Sequence, residues 1–291
     1  MRKIELLAPA KDYDTAVDAI DCGADAVYIG GAKFGARYAA GNSLEDIHRT
    51  VEYAHRYGVK VYATLNTLLF DNELEEAKEQ AERLIEAGVD ALIVQDMAYY
   101  MMNLDIPLHA STQTNCVTPE KVKFFEQLGF QRVILERSLS KQQIGEIAKS
   151  SQVELEAFVH GAICVSQSGR CFFSRSTSER SGNRGECSQP CRLEYDLCND
   201  KGEVIIKSKH LLSVRDLDLS ARLGEMIDLG INSFKIEGRL KRPEYVATVC
   251  RIYKKYIEKK VNIKAVCLPS TSPANAAYSL DKLIEKWSVI R

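Results

Sequence analysis

No apolar run in this 291-residue sequence approaches the ~20 residues that a membrane-spanning helix requires. The opening Met1–Leu7 carries charge but no long apolar stretch and no cleavage site, so it reads as a first strand and not as a signal peptide. Net charge is nearly absent at −1, which removes any global steering toward nucleic acid; an RNA contact would have to come from a local basic patch. Several catalytic signatures are missing as well. No GxGxxG follows the first strand, none of the five histidines opens an HExxH, and there is no GxSxG elbow. Dinucleotide binding, metalloprotease chemistry and a serine-hydrolase mechanism therefore lack local support. The expectation is a cytoplasmic protein without a membrane segment.

Cysteine is what the sequence has in excess. Nine cysteines without a secretory leader argue against a disulfide framework and for ligation of a metal or cluster by some of them. Cys164, Cys171, Cys187 and Cys191 fall in one loop as C-x6-C-x15-C-x3-C. Several thiolates held close together suit a soft metal centre, and iron–sulfur clusters are commonly held by four. Zinc competes, but structural zinc sites favour tight C-x2–4-C pairs, and only Cys187/Cys191 has that spacing. Small residues around them, among them Gly161, Ala162, Gly169 and Gly185, leave room for a bulky inorganic core. Free thiols are the third reading. Cys22 and Cys250 sit in helical patterns as small buried hydrophobes, and Cys116, Cys198 and Cys267 have no partner at ligand spacing.

Short apolar runs alternate with amphipathic segments along the chain. Strands are expected at Ile4–Pro9, Ala26–Ile29, Val59–Leu65, Ala91–Val94, Leu108–Ser111, Arg132–Leu135, Leu155–Val159 and Ser233–Ile236. Helices follow them, with glycine stops at Gly23, Gly58, Gly88, Gly129 and Gly230. Eight strand-then-helix units predict an α/β fold, a TIM-type eight-stranded parallel barrel, over residues 1–260. A cysteine-bearing insertion after strand seven, residues 160–215, includes a hairpin around Asn199-Asp200-Lys201-Gly202. Residues 261–291 read as a linker-like tail around Pro269-Ser270-Thr271-Ser272-Pro273.

In such a barrel the residues just after each strand face the catalytic mouth. Those positions hold Asn66, Gln95, His109, Thr112, Gln113, Glu136, Arg137, His160, Glu237 and Arg239. Imidazoles, carboxylates and guanidiniums around one opening can hold a dianionic small molecule and supply an acid or base. His109, Gln113, Glu136, His160 and Glu237 are the candidate catalytic residues, and Arg137, Arg239 and Arg184 the candidate substrate-binding ones. The opposing reading is that Glu136/Arg137 and Glu237/Arg239 pair across the rim. The cysteine loop is also basic: Arg170, Arg175, Arg180, Arg184 and Arg192 face only Glu179 and Glu186. Those guanidiniums suit phosphate contacts or the charge of an anionic cluster.

Longer motifs resemble a known family. Glu156–Cys164, Ser168–Ser174, Asn183–Arg192, Phe234–Arg239, the opening Glu5–Ala10 and His109–Gln113 resemble the collagenase-like peptidase family U32, over roughly residues 1–260. The family name implies proteolysis. Several members act in hydroxylation instead: of tRNA wobble uridine, of a cytidine in large-subunit ribosomal RNA, or as partners in oxygen-independent ubiquinone synthesis. The resemblance implies a four-iron four-sulfur cluster on Cys164, Cys171, Cys187 and Cys191, prephenate as co-substrate and RNA as partner. The text around Glu179–Gly185 and Lys209–Ser213 is most similar to the ribosomal-RNA branch, whose members continue into further C-terminal domains where this sequence has its short tail. A peptidase and a non-catalytic cluster-bearing partner of another hydroxylase are the alternatives, and a hetero- or homodimer is the expected assembly.

Overall fold

The computed structural model describes residues 4–36 and 41–261. Seven parallel strands come first: β1 (Glu5–Ala10), β2 (Ala26–Gly30), β3 (Lys60–Leu65), β4 (Ala91–Val94), β5 (Leu108–Ala110), β6 (Arg132–Ile134) and β7 (Glu154–Gly161). A long segment then carries the antiparallel hairpin β8 (Tyr195–Cys198) and β9 (Val204–Lys209) and the short β10 (Leu217–Asp218). β11 (Ser233–Ile236) pairs in parallel with both β7 and β1 and so closes an eight-stranded barrel. The α/β barrel expected from the alternation is what the chain forms.

The surrounding helices are α1 (Tyr13–Asp21), α2 (Leu44–Arg56), α3 (Leu74–Glu86), α4 (Ala98–Met101), α5 (Pro119–Gln127), α6 (Lys141–Ser150), α7 (Phe173–Thr177), α8 (Leu223–Leu229) and α9 (Pro243–Val261). Their starts are written in side chains. Asp12, Ser43, Thr118 and Ser140 each accept a hydrogen bond from a backbone N–H of the first turn, and Gln143 completes a capping box with Ser140. Caps of this kind contribute about 1 kcal/mol each. Most strand boundaries shift from the sequence reading by a residue or two. β5 ends at Ala110 because Ser111 becomes the cap of a tight turn at 112–114, and β7 extends over Glu154–Gly161.

Two apolar clusters result. The larger lies between barrel and helices, and a smaller one, Leu7, Ala26, Tyr28, Tyr62, Ala91, Ile93, Ile134 and Phe158, fills part of the barrel interior. The rest of the interior is polar. The linker-like tail expected at 261–291 lies, from residue 262 onward, outside the described residues.

Candidate active site

The polar interior forms a ladder along the barrel axis. Glu156, fully buried on β7, accepts hydrogen bonds from Lys235 Nζ at 2.8 Å, Arg132 Nη1 at 3.1 Å and Ser233 Oγ at 3.3 Å. Arg132 also pairs with Glu5 and with Glu154 at the foot of the barrel, and Tyr62 Oη donates to Glu5 at 2.7 Å. Burial works against every charge here. For Glu5 burial pushes the carboxyl up, yet Arg132 and the hydrogen bonds outweigh it and hold the group below its ordinary range. Lys235 shows the opposite balance: burial pulls its ammonium down, and Glu156 only partly restores it.

Above the ladder is a small cavity at the strand ends. It is lined by Tyr28, Thr64, Asn66, Ser111, Gln113 and Phe158, with Lys235 at its floor and Arg137, Glu237 and Arg239 around it. The Lys235 ammonium lies 4.3 Å from the Tyr28 ring centroid and 5.5 Å from that of Phe158. Arg239 Nη1 donates to Thr64 Oγ1 at 2.8 Å. Arg137 stacks on Phe158 at 3.9 Å, donates to Ala162 O and pairs with Glu237 at 3.2 Å. Three cations thus approach one opening from β6, β11 and the loops after them. The rim pairing foreseen for Glu237 is made, but with Arg137.

Other candidates lie elsewhere. His109 is buried one step deeper, packed edge-on against Tyr62 at 4.9 Å, with Nδ1 lacking a hydrogen-bond partner. Burial, reinforced by Arg132, Lys235 and Lys60, pushes its pKa well below the ordinary histidine value, so it is neutral. His160 turns to the outside. A register shift between β7 and β11 sets Val159 and His160 against one step of β11, and the imidazole meets Tyr245 Oη at 2.9 Å and Tyr253 Oη at 3.3 Å on α9. Bulges commonly re-aim a side chain in this way. Glu136 holds a loop: its carboxylate accepts from Ser138 N–H and hydroxyl and from Ser168 N–H and hydroxyl. Of the expected group the structure brings Gln113, Arg137, Glu237 and Arg239 together, and leaves His109, Glu136, His160 and Arg184 off the cavity wall.

The segment after β7 is strapped over the mouth. Gly169 has φ 71°, and a Cβ there would come within 2.0 Å of Gln113 O; Gly185, at φ 85°, is equally close-set against Gly35 O. Only glycine permits both the backbone sign and the approach. Arg184 pairs with Glu73 at 2.6 Å, donates to Leu68 O and lies 3.9 Å over the Phe70 ring. Arg192 ties the two ends of the segment through Ile163 O, Ser213 and Val214 O. Arg175 and Arg180 are likewise engaged, with Glu179 and Glu186 O. Most of the basic loop's arginines therefore hold the loop itself, and Arg170 is exposed.

The four cysteines share this segment. Cys164 is exposed and the other three are half-buried. Burial raises the Cys191 thiol, and Cys187, Cys164 and Cys171 all add to that rise, so the four are electrostatic neighbours. Cys187 Sγ accepts from Gln189 N–H at 3.4 Å and from the Ser174 hydroxyl at 3.8 Å. Among the described residues, no three Cys, His, Asp or Glu side chains converge tightly enough to hold a single metal ion. No described helix is long and apolar enough to cross a membrane.

Comparison with known proteins adds a lineage to this geometry. Residues 11–283 match Peptidase family U32. The chain belongs to that family. Among curated U32-like relatives, the "23S rRNA 5-hydroxycytidine C2501 synthase" of Escherichia coli (strain K12) is 50% identical over 259 residues, which is 88% of this chain and 39% of that protein. The "tRNA hydroxylation protein P1" of Bacillus subtilis (strain 168) is 37% identical over 88% of this chain and 64% of its own length. The chain thus spans 39% and 64% of the length of these two relatives. A solved structure, the U32 peptidase Mk0906, superposes with a TM-score of 0.57 at 16% identity over 82% of this chain and 94% of that one, which shows a shared fold.

The cavity also holds residues that the strand-end rule overlooks. Tyr28, Thr64, Phe158 and Lys235 lie within strands, not after them. The signal was alternation: in Ser233-Phe234-Lys235-Ile236 the polar residues share one face, and Glu156 and Phe158 share a face of β7.

Proposed function

We propose that this chain is the barrel portion of an RNA base hydroxylase, with a cytidine of large-subunit ribosomal RNA as target, prephenate as co-substrate and a four-iron four-sulfur cluster on Cys164, Cys171, Cys187 and Cys191. The observation that carries the target is the 50% identity to a ribosomal RNA hydroxycytidine synthase across 88% of the chain; a tRNA uridine is the second reading, on 37% identity. Cluster ligation is supported by four neighbouring thiols and by N–H and O–H donors aimed at Cys187 Sγ. A four-thiolate zinc site is the competing occupant, and only Cys187/Cys191 has the tight pair spacing that such sites favour. Such a cluster, when bound, supplies one-electron exchange beside the mouth.

The chain's own residues supply the rest. Arg239 brings a guanidinium suited to a carboxylate, and Arg137, its Nη atoms held by Ala162 O and Glu237, adds a fixed positive charge beside it. Tyr28 and Phe158 offer ring faces, and the strapped segment shields the opening from water. In an Escherichia coli strain lacking the ribosomal RNA relative, expression of this chain should restore the hydroxycytidine, read by mass spectrometry of the RNA fragment. Anaerobically purified protein should be brown, with equal iron and acid-labile sulfide, and Cys171→Ala should bleach it where Cys22→Ala does not. Cluster-loaded protein that leaves the RNA unmodified overturns the target. Gelatin cleavage that is lost on Arg239→Lys would favour the proteolysis of the family's name.

A further inference from the structure

A second cavity, of about 140 Å³, lies on the outer side of β6 and β7, between α6 and α8. Its wall is mostly apolar, with Leu135, Ile144, Ala157, Leu219, Met226 and Leu229; Glu136, Arg137, Lys141, Arg222 and Glu225 are its charged members, and the Glu136 carboxylate is already taken up by Ser138 and Ser168. An apolar protein cavity of roughly this size, ~150 Å³, accepts benzene, so a six-membered ring fits. The mouth cavity, by contrast, encloses about 40 Å³, which is room for a few waters and not for a ring with two acidic arms.

The two spaces share a partition. Arg137 and Phe158 line both. Arg137 is 9% exposed, its Nη atoms are bound to Ala162 O and Glu237, and its Nε is buried with no hydrogen-bond partner. A buried guanidinium N–H without an acceptor is costly unless a ligand supplies one. At the outer edge, Glu225 pairs with both Lys141 at 3.1 Å and Arg222 at 3.2 Å, leaving two cations to one carboxylate. Apolar walls with a few placed polar groups are the ordinary make-up of a small-molecule site.

We propose that this side cavity seats the six-membered carbocycle of a small carboxylic acid, whose acidic group reaches Arg137 at the partition. The inference rests on the prephenate reading and gives it a pose. Both acidic arms of prephenate leave one ring carbon, and its hydroxyl leaves the opposite one. With the ring in the side cavity, the arms face Arg137 and the cationic mouth beyond it, and the hydroxyl faces the polar edge at Glu225.

Calorimetry on the full chain tests this with two probes, prephenate and benzoate. Leu219→Trp and Ile144→Phe fill the cavity, Met226→Ala enlarges it, and Arg137→Gln removes the anchor; thermal melting checks that each is folded. Filling should weaken both probes at least ten-fold, and Arg137→Gln should do so by about ten- to a hundred-fold. Met226→Ala should favour 4-ethylbenzoate over benzoate relative to wild type. If prephenate binds wild type and both filled variants alike, the pose is wrong while the prephenate reading stands. If benzoate binds and is displaced by filling but prephenate does not bind, the site stands and the prephenate reading falls. Binding of neither probe to wild type overturns the inference.

Discussion

Replacing Glu156 by Gln keeps the shape of the side chain and removes its charge from the centre of the ladder. Lys235, 5% exposed, then loses the carboxylate 2.8 Å from its ammonium. Breaking a buried pair from one side costs ~3–5 kcal/mol. At pH 7 the loss has a ceiling, because Lys235 can give up its proton instead of staying charged. With an ordinary value of 10.5, neutralising it at pH 7 costs about 5 kcal/mol at most. The sign with pH follows. In the variant the folded-state pKa of Lys235 is depressed further below its unfolded value, so the unfolded chain binds the extra proton. Stability of the variant therefore rises with pH, by at most about 1.4 kcal/mol per unit, while its Lys235 is neutral and the unfolded one charged, and the deficit shrinks where the wild-type lysine is still protonated.

Lys235→Met should cost less, since Glu156 keeps Arg132 at 3.1 Å as a partner. The double variant should recover much of the single Glu156→Gln loss, with a coupling of about 2 kcal/mol. Urea titration at pH 7, 8 and 9 reads these differences, and melting temperature should fall by about 2–4 °C per kcal/mol in a domain of this size. A Glu156→Gln loss under about 1 kcal/mol, independent of pH and additive with Lys235→Met, would refute the reasoning. The ladder would then be a set of contacts and not a charge balance.

Two further outcomes follow from the same geometry. His109 is held neutral in the folded protein and has an ordinary value of 6.5 when unfolded, so its contribution is present above pH 6.5 and lost as pH falls. Stability should drop by about 1–2 kcal/mol between pH 6.5 and 5, ahead of the carboxylates, and His109→Asn should flatten that slope in urea titrations. Gly169→Ala places a methyl against Gln113 O and should lift the strap, raising the rate of limited proteolysis within 162–216 while the barrel helices keep their circular dichroism. Unchanged cleavage would mean that the strap is held elsewhere.

The barrel was legible because its strands and helices are punctuated locally. Caps at Asp12, Ser43, Thr118 and Ser140 and the glycine stops bound each unit without reference to tertiary contacts. Site residues were legible only where the strand-end rule coincides with the axis of the barrel. It found Gln113, Arg137, Glu237 and Arg239. It counted His109 among the mouth residues although the residue lies inside β5, and it turned His160 inward because the register shift at Val159 leaves no mark in the residue pattern. Lys235 was hidden by the same rule that found Glu237. Arg184 was grouped with phosphate-binding guanidiniums because its partner, Glu73, is more than a hundred residues away in the sequence.

The ladder also bears on why the mouth is cationic. Barrel interiors are ordinarily filled by layers of branched apolar side chains, and a buried ion pair is often no more stabilising than apolar residues of the same volume. Stability therefore does not account for Glu5, Arg132, Glu156 and Lys235 in this interior. Their effect on Lys235 does. Burial pulls the pKa of Lys235 down at the cavity floor, and Glu156 opposes that pull on a side chain set against the Tyr28 and Phe158 rings. Arg132 and Ser233 in turn hold Glu156, and Glu5 balances Arg132. A cation prepared from below joins Arg239 and Arg137 at the opening. An acid entering the mouth thus meets charge already desolvated and fixed in place, which is the condition under which a charge-assisted hydrogen bond is worth most.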